Sequence, residues 1–165
     1  MVNRQFEGLL DPRARVLRGE VFRYLLAAEV ARAVRYRNFL TVCILTVSDR
    51  PVVLWERADP VLRLVVRVLG ERLRTTDPMG VLPVGLGLIL LHVAEQPARA
   101  VAERLVGHLA NLAVVRRRLE FGGGTVAGAC FPRDGNTDAD LLACAARRLG
   151  RARGREGVFF GGAGE

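Results

Sequence analysis

Residues 74–91 read Arg-Thr-Thr-Asp-Pro-Met-Gly-Val-Leu-Pro-Val-Gly-Leu-Gly-Leu-Ile-Leu-Leu, and the fold turns on how that stretch is parsed. Two apolar runs, residues 79–82 and 86–93, are joined by Pro83-Val84-Gly85-Leu86-Gly87. Apolar runs separated by Pro and Gly predict a β-hairpin. Arg74 to Asp77 in front of it is expected to close a helix, with Pro78 as the stop. The turn itself holds no carboxylate, hydroxyl, thiol or imidazole. If a reaction centre once occupied this tip, its polar atoms are gone.

Upstream, Leu62, Val65, Val66, Leu69 and Leu73 recur at helical spacing, which predicts a helix from Asp59 to the Arg74–Asp77 region. A loop with Pro51 and Trp55 precedes it. Residues 40–47 are almost continuously apolar and rich in β-branched types, the pattern of a buried central strand. Before that strand, Phe22, Leu25, Leu26, Val30 and Ala33 mark an amphipathic helix ending near Asn38, with Arg23, Arg32, Arg35 and Arg37 mostly off the apolar stripe. Asp11-Pro12 opens a turn, and residues 1–10 form a leader.

Downstream, Pro97 is expected to begin a third helix with Val101, Leu105, Leu109 and Leu112 inward. A strand over residues 114–121, a Gly122-Gly123-Gly124 turn and a strand over residues 125–131 follow. Pro132-Arg133-Asp134-Gly135 reads as a turn, since proline presets one dihedral and glycine accepts a positive one. Thr137 is placed to cap a last helix that buries Leu141, Leu142, Ala145 and Leu149, and residues 158–160 suit an edge strand. The order α-β-α-β-β-α-β-β-α-β gives an α+β fold: a mostly antiparallel sheet of five to six strands flanked by helices. One domain over residues 11–160 is expected, with a tail at 161–165.

Bulk properties narrow the function. A chain of 165 residues that is 50% hydrophobic can bury a full core. No apolar run reaches the roughly 20 residues of a membrane helix, and Glu29, Arg32 and Arg35 interrupt the first helix, so no signal peptide is read and a cytoplasmic place is expected. Cys43, Cys130 and Cys144 lie in apolar stretches at spacings unlike a zinc site or a disulfide framework, so they are read as core. The net charge of +8 favours anionic partners, although arginine-rich composition alone also produces it.

With that order in hand, the chain resembles a GGDEF domain, the diguanylate cyclase family, over nearly its whole length. Asp11, Val16 and Phe22 stand where the family has its Asp-x-Leu-Thr-Gly-Leu-x-Asn-Arg-x-x-Phe opening. Glu29-Val30-Ala31-Arg32-Ala33 resembles the family's first helix, and Asp59-Pro60-Val61-Leu62-Arg63 resembles its Gly-Asp-x-x-Leu-Arg segment. Arg74 to Asp77, five residues and then Pro83 to Gly87 reproduce the spacing between the family's Arg-x-x-Asp and its Gly-Gly-Asp-Glu-Phe signature. Phe131-Pro132-Arg133-Asp134-Gly135, Leu141-Leu142 and residues 149–153 resemble its closing motifs. The resemblance implies a cyclase-type palm fold and a place in cyclic di-GMP signalling.

The departures imply that the activity is lost. A cyclase of this family joins two GTP molecules with divalent metal, which needs hard oxygen ligands. Here the first metal-holding position is Thr46, and the signature acids are Gly85 and Leu86. Pro83 and Val84 replace the signature glycines; proline removes an amide donor and valine adds bulk. Asp49 lies three residues beyond Thr46, and the loop from Asp49 to Asp59 is shorter than the family pattern and lacks its asparagine. No enzyme activity, metal or cofactor is therefore expected. Thr46, Asp59, Gly85, Leu86 and Arg153, the last at a phosphate-contacting lysine position, form a vestigial substrate pocket.

What survives is the Arg74/Asp77 pair, which in the family is the inhibitory site for cyclic di-GMP. Arginine offers a planar fork to guanine or phosphate, and aspartate accepts from guanine N–H groups. Arg104 stands where the family often adds a further arginine to that site. The ordinary reading is an intrahelical ion pair worth about 0.2–0.5 kcal/mol, with Arg104 on a solvated helix face. Arg147, Arg148, Arg151 and Arg155 around Arg153 are expected to form a basic face. The resulting expectation is an inactive regulatory domain that binds cyclic di-GMP, with a homodimer or protein partner. A ligand-free interaction scaffold is the rival. A nucleic-acid-binding module is a third reading, disfavoured because only 6% of residues are aromatic. His92 and His108 are isolated, and neither is assigned a role.

Overall fold

A computed structural model describes residues 16–47, 60–112 and 124–161, with side chains at 60–62 excepted. The leader, the Asp11-Pro12 turn, Asp49, the Pro51/Trp55 loop, Asp59 and the strand expected over residues 114–121 lie outside the described residues, as do Gly122, Gly123 and residues 162–165.

In chain order the elements are β1 (Val16–Leu17), α1 (Gly19–Tyr36), β2 (Leu40–Thr46), α2 (Pro60–Gly70), β3 (Met79–Leu82), β4 (Gly85–Leu91), α3 (Glu95–Asn111), β5 (Thr125–Phe131), α4 (Asp138–Arg151) and β6 (Gly157–Phe159). The six strands form one mixed sheet in the order β1-β3-β4-β2-β5-β6. The inner pairs β3/β4, β4/β2 and β2/β5 are antiparallel, whereas the outer strands β1 and β6 join in parallel. The α+β class and the mostly antiparallel pairing agree with the sequence reading. β1 was not foreseen, because two residues are too few to show alternation.

Alternation along β2 explains the layers. Val42 and Ile44 join the cluster formed by Phe22, Leu26, Val30 and Ala33 of α1 and Leu141, Cys144 and Ala145 of α4. Cys43 and Leu45 point the other way, into a cluster with Val65, Val66 and Leu69 of α2 and Ala98, Ala102, Leu105 and Leu109 of α3. Successive strand side chains face opposite sides, so a strand that is apolar throughout must be covered on both. Thr41 is the buried polar residue of β2; its hydroxyl donates to the Val93 carbonyl at 2.8 Å.

The hairpin is tighter than expected. Gly85-Leu86-Gly87 belongs to β4, leaving only Pro83-Val84 as the exposed turn. The glycines in the strands make room for α1. Gly80 and Gly87 are partners across β3 and β4, and the fully buried Phe22 ring lies over them. A Cβ on Gly87 would stand 2.6 Å from Phe22 Cζ. Overpacking of this kind typically costs about 1–3 kcal/mol. Gly87 is therefore a packing residue, where turn chemistry had been read.

The second helix is also shorter than expected, ending at Gly70. Glycine is a poor helix interior residue, and the Leu69–Leu73 periodicity outlasts the helix because Leu73 packs on the same cluster from the following loop. α3 starts at Glu95, with Pro97 inside its first turn, where its missing N–H goes unneeded. Thr137 caps α4, its side chain accepting from Asp140 N at 3.1 Å. All three cysteines are buried and free, and burial pushes the thiols of Cys43 and Cys130 above their ordinary range. Among the described residues no helix is long and apolar enough to cross a membrane.

Candidate functional site

Two places in the fold collect the residues singled out above, at opposite ends of the β3–β4 hairpin. The first is the hairpin tip. Thr46 ends β2, and the antiparallel register sets Leu45 opposite Leu86. Gly85 is so close that a Cβ there would meet Ile44 Cγ2 and the Leu45 carbonyl oxygen, each at 2.7 Å, and Thr46 Cγ2 at 3.2 Å. Thr46 pairs with Thr125 on its other side, and the Thr125 hydroxyl donates to the Arg155 carbonyl at 2.6 Å. The exposed Arg153 lies in the turn leading to that contact. Tertiary structure thus gathers Thr46, Gly85 and Leu86 at one end of the sheet, with the Arg153 turn nearby. Asp59 lies outside the described residues.

Among the described residues, this end offers little chemistry. Leu86 is fully buried in the α2/α3 cluster. Gly85 contributes no side chain, and Thr46 contributes one hydroxyl. A divalent cation wants several carboxylate or carbonyl oxygens. Thr46, Gly85 and Leu86 do not fit one.

The second place is the turn from Arg74 to Asp77. It is not a helix end, contrary to the sequence reading, because α2 has already stopped at Gly70. Instead Asp77 N–H donates to the Arg74 carbonyl at 3.0 Å, closing a four-residue turn. β4 runs past the start of β3, so its Ile89 and Leu91 amides would lack strand partners. Ile89 N–H donates to the Pro78 carbonyl at 3.0 Å, and Leu91 N–H donates to Asp77 Oδ1 at 3.3 Å. The Asp77 carboxylate thus continues the ladder one step beyond the strand.

Arg74 is exposed, and no ion pair joins it to Asp77. The intrahelical salt bridge that was the ordinary alternative is absent for lack of a helix. Arg104 is exposed on α3, next to the buried Leu105. Leu73, beside Arg74, packs on the same cluster as Leu105, beside Arg104.

Sequence reasoning misplaced one arginine altogether. Arg148, assigned to a basic face, is only 6% exposed. It donates from Nη1 to the Gly128 carbonyl at 2.7 Å and to Asp134 Oδ2 at 2.9 Å, and from Nη2 to Asp134 Oδ1 at 3.0 Å. Asp134 also accepts from Cys130 N–H at 2.8 Å and from Arg133, which in turn pairs with Glu95. Burial alone would raise the Asp134 pKa, but the hydrogen bonds from Arg148, Arg133 and Cys130 hold its carboxyl well below the usual carboxylate range. The signal was present: Leu141, Cys144, Ala145 and Arg148 share one helical stripe, and Asp134 waits in the preceding turn.

No protein-family model matches the sequence, and no curated protein matches it either. Solved structures do share its shape. The GGDEF domain of YfiN from Pseudomonas aeruginosa superposes with a TM-score of 0.72 at 21% identity, over 88% of this chain and 96% of that one. The FimX GGDEF domain from Pseudomonas aeruginosa gives 0.71 at 16% identity, over 92% and 98%. The GGDEF domain of DgcB from Caulobacter crescentus, solved in complex with c-di-GMP, gives 0.69 at 16% identity, over 92% and 95%. At these identities the likeness carries the fold: this chain has the α+β architecture of GGDEF domains.

Proposed function

We propose that this chain is a catalytically inactive GGDEF-like regulatory domain in cyclic di-GMP signalling, and that it binds the dinucleotide at Arg74 and Asp77, with Arg104 as a further contact. The observation that carries the reading is the state of Arg74, an exposed guanidinium that forms no ion pair among the described residues, on a turn whose backbone is hydrogen-bonded. Such a planar fork suits guanine or phosphate. Asp77 commits Oδ1 to the Leu91 amide, leaving Oδ2 to accept from a guanine N–H. The c-di-GMP complex of the similarly folded DgcB domain supports the ligand class. Inactivity is supported by the burial of Leu86 and the lack of a side chain at Gly85. A two-fold-symmetric dinucleotide gripped by two such turns would draw two copies together.

Calorimetry with cyclic di-GMP tests the site. Heat is expected from the wild type and none from Arg74→Ala; heat unchanged in that variant removes the assignment. Incubation with GTP and magnesium is expected to yield no product, and product formation overturns inactivity. One observation favours the rival, a ligand-free scaffold: the Asp77–Leu91 bond gives the aspartate a structural use of its own. Absence of heat from the wild type, with the fold intact, selects that reading.

A further inference from the structure

Where α1 hands over to β2 the chain reads Arg35-Tyr36-Arg37-Asn38-Phe39, two rings set among two guanidiniums and an amide. Of the five large hydrophobics exposed among the described residues, Val34, Tyr36 and Phe39 fall within this one short stretch. Tyr36 is 61% exposed and Phe39 54%, and neither belongs to a core cluster. The backbone beneath them is fixed. The Arg37 and Asn38 N–H groups both donate to the Ala33 carbonyl, and Leu40 pairs with Leu91 on one side and Phe131 on the other. Phe39 therefore stands one step past the last rung of the central strands. Three virtual bonds separate it from Tyr36, so their Cα atoms lie within about 11 Å. The Arg35 guanidinium sits 5.5 Å from the Tyr36 ring centroid. Arg35 and Arg37 are exposed and form no ion pair among the described residues. Glu95 and Asp134, which follow the same ends of β4 and β5, are already held by arginines: Glu95 by Arg99 and Arg133, Asp134 by Arg133 and Arg148.

We infer that this corner binds single-stranded nucleic acid, with bases stacking on Phe39 and Tyr36 and phosphates meeting Arg37 and Arg35. Single-strand binders combine exposed aromatic faces with cations that follow the backbone, and both are present here within five residues. Arginines in a last turn also answer the negative end of the helix dipole, but that role accounts for neither ring. A duplex does not suit the corner, because its base faces are stacked against one another. A protein partner suits it less, since the centre of such an interface is depleted of charge and here guanidiniums stand between the rings. The net charge of +8 adds long-range attraction for a polyanion. Aromatics are only 6% of the chain, which counts against nucleic acid by composition; the fold nevertheless leaves two of them exposed together among cations. DNA and RNA share the bases and phosphates that this corner would read. The corner and the Arg74 turn have no residue in common, so the inference stands apart from the ligand reading.

The test titrates the full chain, at low salt, into fluorescent oligothymidylate and oligouridylate of about twelve nucleotides, and into a duplex of the same length. Anisotropy is expected to rise with one or both single strands, and their ranking tells which sugar is preferred. The duplex is expected to bind at least about tenfold more weakly. Phe39→Ala and Tyr36→Ala are each expected to weaken single-strand binding about tenfold, the worth of one stacked base. Arg37→Gln is expected to lower the salt slope by about 0.7, the share of one phosphate contact. Arg74→Ala is expected to change nothing. All four side chains are exposed, so an unchanged thermal midpoint certifies the fold of each variant. Failure of both single strands to bind, equal binding of the duplex, or indifference to Phe39→Ala or Tyr36→Ala overturns the inference. So does self-association of the chain that Phe39→Ala abolishes, or binding to phosphatidylserine vesicles in place of the oligonucleotides.

Discussion

Arg148 and Asp134 meet beneath the surface with two parallel hydrogen bonds, whereas Arg74 and Asp77 share one turn through a backbone hydrogen bond while their side chains form no ion pair. The same two side-chain types are put to different uses, and burial makes the difference. Where Asp134 is enclosed, a bare carboxylate would be costly, so the fold satisfies it from Arg148, Arg133 and Cys130 N–H. That pair locks α4 to the β5 turn and has nothing left for a ligand. Where Arg74 stands in water, an ion pair would contribute little, and its absence leaves a fork open to an anionic or purine partner.

The sharpest way to break this contrast is Arg148→Ala. Removing one partner of a buried pair leaves the other uncompensated, and a loss of about 3–5 kcal/mol is expected in urea unfolding. A loss under about 1 kcal/mol would mean that the buried pair is as dispensable as an exposed one.

Acid should act on the two pairs differently as well. Because the folded-state pKa of Asp134 is depressed, its stabilisation is fully present above the ordinary aspartate pKa of about 3.9 and fades as pH falls below that towards the folded value. The stability gap between wild type and Asp134→Asn should therefore be constant from neutrality to about pH 5 and narrow below about pH 4. A gap that closes near neutral pH contradicts the assignment.

Asp77→Ala is expected to cost about 0.5–1.5 kcal/mol, the worth of the single bond to the Leu91 amide, and to abolish cyclic di-GMP heat. Arg74→Ala should leave stability within about 0.5 kcal/mol while removing the same heat. If Arg74→Ala destabilises as much as Arg148→Ala, then its guanidinium belongs to the fold and the contrast fails.

Much of the architecture was readable from the chain. β2, β5 and the hairpin runs announce themselves through β-branched and apolar continuity, and Thr137 sits where an N-cap is wanted. The readings that failed did so where a residue's role depends on something distant. Leu73 extended the α2 periodicity although Gly70 had ended the helix, because a loop residue can satisfy the same core. Gly85 and Gly87 looked like turn residues, yet they are small because Ile44 and Phe22 fill the space beside them. At the candidate site the register of Arg74 and Asp77 was visible, but the turn that holds them was not, since Leu91 is far along the chain.

The sequence by itself determined the α+β order, the hairpin, the buried cysteines and the poverty of oxygen ligands at the hairpin tip, because each rests on local periodicity or residue chemistry. Only the tertiary structure decided which arginine is sealed and which is free, that Asp77 extends a strand ladder, and that glycines in the hairpin strands receive an aromatic ring. Burial and hydrogen-bond partnership are properties of neighbours brought from elsewhere in the chain, and no local pattern can state who those neighbours will be.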